Sequence, residues 1–147
     1  MVRWFIAGVG LALLGMASYT GSKSVVAQEK PAAEEKVDPI EGIMKRLHKG
    51  KKPVHKLLDK ALDEGVESVN WEEVQGLSKD YVQMTNELVL TKPEKGTQAS
   101  WQKLTKDYAA AAKGLDAAAT KKDRKGAMEA FTTLDTSCKD CHKAHKN

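Results

Sequence analysis

The stretch DRKGAMEAFTTLDTSCKDCHKAHKN, residues 123–147, carries an apolar series at Ala127, Met128, Phe131, Leu134, Cys138 and Cys141. Steps of three and four dominate it, which gathers these side chains on one face of an α-helix beginning near Asp123. The same period runs through the segment before it. Trp101, Leu104, Tyr108, Ala111, Ala112, Leu115, Ala118 and Ala119 predict a helix from about Gln98 to Thr120, its alanines allowing close helix packing. Further back, Asn70 with Glu73 three residues on forms a capping box. Trp71, Val74, Leu77, Tyr81, Met84 and Leu88 supply the stripe of that helix, and TKPEKG at 91–96 closes it. The earliest element opens at DPIE, with Asp38 as cap, Pro39 in the first helical position and Glu41 completing a second capping box. Ile40, Ile43, Met44, Leu47, Val54, Leu57, Leu58, Ala61 and Leu62 follow, with one longer step across Gly50 to Pro53. Because Pro53 has no N–H to donate, this element is either one kinked helix or two short ones. Four amphipathic segments joined by short loops predict an all-α protein, an antiparallel four-helix bundle over 38–147.

Composition agrees with one helical domain. The chain has 147 residues, 41% hydrophobic and only 5% aromatic, enough for one core and poor in strand formers. Residues 1–27 read as a secretory signal peptide: Arg3 gives the positive start, WFIAGVGLALLGMA at 4–17 the apolar run, and Val25 and Ala27 a small-residue cleavage site. The run is short for a membrane span, which takes about 20 apolar residues; an uncleaved anchor is the competing reading. Residues 28–37, QEKPAAEEKV, are polar and without apolar period, a flexible leader. Cleavage removes Arg3 and Lys23 and no acid, lowering the formal charge from +4 to +2. So small a charge is too weak to support a nucleic-acid reading on charge alone.

The chemistry is concentrated at the end of the last helix. Cys138 and Cys141 are the only cysteines, and His142 follows the second directly. C-x-x-C-H is the attachment signature of c-type haem. On a helix the two thiols stand one turn apart on the same side, able to reach two vinyl groups on one porphyrin edge. His142 lies about 100° further round, where its ring can reach the iron. The expected cofactor is one covalently attached haem c, with Cys138 and Cys141 as thioethers and His142 as an axial ligand. Zinc is the rival, since Cys138, Cys141, His142 and His145 fall within eight residues; one helix would have to unwind to close a tetrahedron from them. In an oxidising compartment a disulfide is the other way to use the pair. A redox C-x-x-C normally opens a helix in a βαβ unit, whereas this pair closes one.

With four helices, an export signal and CKDCHKAHK near the C-terminus, the chain resembles the class II cytochromes c, the family of cytochrome c′ and cytochrome c-556. The resemblance covers residues 38–147. Family members place an aromatic and a basic residue third and fourth after the haem histidine; here those places hold His145 and Lys146. Met44, in IEGIMKRLH, resembles the first-helix position at which the c-556 type carries an iron-binding methionine, whereas cytochrome c′ leaves that side without a protein ligand. The resemblance therefore implies a periplasmic, non-enzymatic carrier of single electrons with His142 and Met44 on the iron. Its alternative is a five-coordinate protein that binds a small gas such as nitric oxide. His48, one turn beyond Met44, is a third option for the sixth ligand. Met128 is excluded, lying about 21 Å along the helix axis from His142, and Met84 is expected in the core. His55 and His145 are expected to pack or face solvent. Lysines 45, 49, 51, 52, 139, 143 and 146 are most simply solvated charge; where several ring an exposed haem edge they would favour an acidic redox partner. A homodimer through the first two helices is compatible with the family.

Overall fold

A computed structural model describes residues 38–146. The expected signal peptide, 1–27, and leader, 28–37, lie outside the described residues. The elements are α1 (Pro39–Met44), which runs on into a π-helical turn (Lys45–Lys49), then α2 (Val54–Leu62), α3 (Trp71–Val89), α4 (Gln98–Thr120) and α5 (Arg124–His145). Among the described residues there is no strand.

α1, α3, α4 and α5 each start where a side-chain oxygen accepts from an otherwise unpaired N–H of the first turn, whereas α2 has no side-chain cap. Asp38 accepts from Ile40 and Glu41 at 3.2 and 3.3 Å, Asn70 from Glu73 at 3.3 Å, Thr97 from Ser100 at 3.2 Å and Asp123 from Gly126 at 3.1 Å. Caps of this kind contribute about 1 kcal/mol each. The first element resolves into two short helices. The Gly50 N–H donates to the Lys45 carbonyl at 2.6 Å, closing the π turn. Gly50 then turns extended, and Pro53 becomes the N-cap of α2 rather than an interior residue.

The inward faces form one core. Leu47, Leu58, Val74, Tyr81, Ala112, Leu115, Ala119, Ala127 and Leu134 are all fully buried; a leucine so placed contributes about 1.5–3 kcal/mol by leaving water. α3 packs on α4 and α4 on α5 over most of their lengths, while α2 lies against α3 and α5 and α1 against α3. Buried hydroxyls find partners within their own helix or across to the next. Thr105 donates back to the Trp101 carbonyl at 2.8 Å, and Ser78 donates to Asp116 at 2.7 Å. Arg124 ties the start of α5 to the α2–α3 loop by donating to the Val66 carbonyl at 2.9 Å. No helix among the described residues is long and apolar enough to cross a membrane.

Candidate functional site

α5 stays helical through His145, so Cys138, Cys141 and His142 occupy its last two turns. Both thiols are free and partly buried, with Cys141 against the core. Cys138 makes only a weak contact, 3.5 Å from the Leu134 carbonyl. Burial pushes both thiols up from their ordinary pKa, Asp135 adding to the effect on Cys138 and Cys138 to that on Cys141. The negative end of the helix dipole acts in the same direction. A redox dithiol needs the opposite, a thiolate stabilised at a helix N-terminus, so this environment disfavours disulfide exchange. His142 is exposed beside them.

His145 points away from that group. Its Nδ1–H donates to the Lys95 carbonyl at 2.7 Å, leaving Nε2 to accept from the Ser100 hydroxyl at 3.1 Å, and its ring meets Trp101 edge-on with centroids 5.2 Å apart. Gly96, at φ 83°, makes room: a Cβ there would come 2.6 Å from His145 Nδ1. His145 thus clasps the end of α5 to the α3–α4 loop. A zinc tetrahedron of Cys138, Cys141, His142 and His145 is not assembled. Among the described residues no three His, Cys, Asp or Glu side chains converge as a metal site.

The donor chemistry that remains fits a covalently held haem: two free thiols on one flank of a helix and an adjacent exposed imidazole that makes no hydrogen bond among the described residues. One buried donor at the same end also lacks a partner among the described residues, the Trp101 indole N–H.

Three methionines fall in different settings. Met84 is core, as expected, and Met44 is partly buried with its side chain against the core. Met128 packs on the core and lines a surface concavity of about 610 Å³ with Arg124, Glu129 and Thr132, about 15 Å up α5 from Cys138. Lysines 45, 49, 51, 52, 139, 143 and 146 are all exposed.

A polar cluster absent from the sequence expectations lies alongside the thiols. The Tyr81 and Tyr108 hydroxyls bond each other inside the bundle. His48 Nε2 lies 3.3 Å from the Tyr108 hydroxyl and His55 Nδ1 lies 3.1 Å from that of Tyr81. The two imidazole centroids are 4.8 Å apart, and His55 stacks on Phe131 at 4.6 Å. Asp135, on α5, approaches His55 Nε2 at 3.5 Å. Burial first, then repulsion from His55 and His142, lowers the His48 pKa from 6.5 to about 4, with Asp135 opposing. Desolvation likewise raises both phenols far above their usual range, and charge on Cys138 raises them further. Two tyrosines on the inner faces of α3 and α4 were the available sign, since a buried phenol needs a partner for its hydroxyl.

One consequence is measurable. The unfolded chain protonates His48 near 6.5 and the folded chain only near 4, so folding loses stability as pH falls through that interval. Partial exposure screens the unfavourable charge and keeps the loss to about 1–2 kcal/mol. Urea denaturation of haem-free protein should show it, and His48→Gln should reduce the slope.

No family model matches this chain, and neither does any curated protein or solved structure.

Proposed function

We propose that the chain is an exported, periplasmic monohaem cytochrome of the class II kind, carrying single electrons between redox partners rather than catalysing a reaction. Residues 38–147 would form the family's antiparallel four-helix bundle, released from the signal peptide 1–27 with the leader 28–37 at its start. The observation that carries this reading is the end of α5: two free, half-buried thiols one turn apart, with an exposed histidine directly after the second. Cys138 and Cys141 would hold haem c through thioether bonds, and His142 would ligate the iron. When bound, the haem supplies an iron that accepts and returns one electron.

The chain's own residues would do the rest. The resemblance assigns Met44 to the iron's other axial position, and its neighbours Ile43 and Leu47, both buried, would keep water from that side. His145 and Gly96 hold the end of α5, fixing where His142 stands. The exposed lysines on the π turn and at the end of α5 suit an acidic partner, and a homodimer through the first two helices is compatible with this arrangement.

An absorption spectrum of the haem-bearing protein tests the ligation. The expected result is low-spin haem that ignores carbon monoxide in the native protein, and high-spin haem that binds it in Met44→Ala. Native protein that is already high-spin and binds carbon monoxide would instead be the five-coordinate, gas-binding alternative.

A further inference from the structure

Between Glu41 and Asp59 the chain has no acidic residue, and within that gap KRLHKGKKPVHK, residues 45–56, holds six cations. Lys45, Arg46, Lys49, Lys51, Lys52 and Lys56 are all exposed. Arg46 is tied to Glu87 at 2.6 Å, while the five lysines make no ion pair among the described residues. The rest of the domain is different. Residues 38–147 carry 20 Lys and Arg against 17 Asp and Glu, and without residues 45–56 the balance is 14 against 17. A domain of net charge +3 is therefore a +6 segment on a body of −3.

The fold holds this segment with its charge outward. It comprises the π turn, the loop over 50–53 and the first turn of α2. Leu47 on one arm and Leu58, just beyond the other, are fully buried in the core. His48 reaches the Tyr108 hydroxyl at 3.3 Å and His55 that of Tyr81 at 3.1 Å, and the two imidazole centroids are 4.8 Å apart. Both arms are thus pinned from inside and to each other. Apolar and aromatic side chains take the inner positions, and the cations take the outer ones.

The composition of that outer face selects its partner. The centre of a protein–protein interface is depleted in lysine and draws its energy from a few aromatic, arginine or apolar anchors. Here the outer positions are lysines, and the one arginine is already engaged. The large hydrophobic side chain left exposed among the described residues is Leu90, outside the segment. Lysine ammoniums are compact, hydrated charges on flexible stems, suited to many loosely placed anions rather than to one carboxylate in fixed geometry. A bilayer with anionic headgroups is a partner of that kind.

We propose that residues 45–56 adsorb the protein to membranes containing anionic phospholipid, through the headgroup phosphates and without insertion of a helix. Clusters of four to eight cations bind such surfaces, each contributing about fivefold to the affinity. Attachment by five unpaired lysines is reversible and sensitive to salt. The net acidic remainder is repelled from the same surface, so adsorption also orients the molecule. Haem attachment is not required for any of this.

Co-sedimentation with lipid vesicles tests it, on the protein as purified, with or without haem. The quantity read is the gain in binding when phosphatidylglycerol is mixed into phosphatidylcholine. A gain is expected at about 0.1 M salt and should vanish at about 1 M, where electrostatic reach has shortened from about 10 to about 3 Å. The triple variant Lys49→Glu, Lys51→Glu, Lys52→Glu should lower the gain by roughly 100-fold or more. Its control makes the same change of net charge at exposed positions on or capping α4: Lys106→Glu, Lys113→Glu, Lys121→Glu. The control should keep most of the gain, and both variants should keep the helical circular dichroism of the parent. No gain with phosphatidylglycerol, the result for lysines that serve only the acidic redox partner proposed above, overturns membrane adsorption. So does a gain that survives about 1 M salt. Equal losses in the two triple variants overturn the assignment to residues 45–56, since net charge alone would then account for the attraction.

Discussion

Replacing both cysteines, Cys138→Ser with Cys141→Ser, is expected to yield a folded chain from which acid and organic solvent extract all haem, where the unaltered protein gives up none. Neither thiol bridges another residue, and Cys138 has only one weak hydrogen bond. The folding cost should therefore stay near 1 kcal/mol, typical of substitutions that break no network. Each single variant keeps one thioether and should keep its haem on a denaturing gel. That asymmetry separates covalent attachment from a merely structural role for the pair, which would make both singles as damaging as the double. Haem that resists extraction in the double variant would show that the cysteines are not its anchors.

Leu47→Ala should have the largest effect on stability, lowering it by about 2–5 kcal/mol as expected for a leucine deleted from a closed core. Leu47 is completely buried, and it sits in the π turn between Met44 and His48. Loosening it frees the segment that carries the proposed distal ligand and His48, which meets the Tyr108 hydroxyl. The expected sequel in haem-bearing protein is a mixture of low-spin and high-spin haem, even at temperatures where α3, α4 and α5 remain folded. Leu90 is the control: it is 85% exposed, and Leu90→Ala should change stability by less than about 0.5 kcal/mol. Equal losses for the two leucines in chemical denaturation would contradict the placement of the first element in the core.

The helices were legible because their starts and faces are written locally. Asp38, Asn70 and Asp123 mark three N-termini, and the apolar steps behind them run unbroken through α3, α4 and α5. Pro53 signalled an interruption but not its form, because a proline at an N-cap and a proline at a kink remove the same N–H. The structure chose two helices by closing a π turn onto Gly50. That Cys138, Cys141 and His142 share the end of one helix was likewise readable, since they fall within five residues. The polar cluster was not. Its members come from the π turn, α2, α3, α4 and α5, and Tyr81 and Tyr108 look like ordinary apolar-stripe residues until their hydroxyls are seen to meet. His145 was expected as a packing or surface residue and proves to pack. Its partners Lys95, Ser100 and Trp101 lie about fifty residues away in sequence, so no local pattern announced them.

Intact-mass spectrometry of the denatured protein, purified from a host that exports and matures c-type cytochromes, tests the central claim most directly. The account predicts a polypeptide beginning at Gln28 and carrying the mass of one haem, with no free thiol left to alkylate at Cys138 or Cys141. A bare polypeptide with two alkylatable thiols, or with a disulfide joining Cys138 to Cys141, would contradict it.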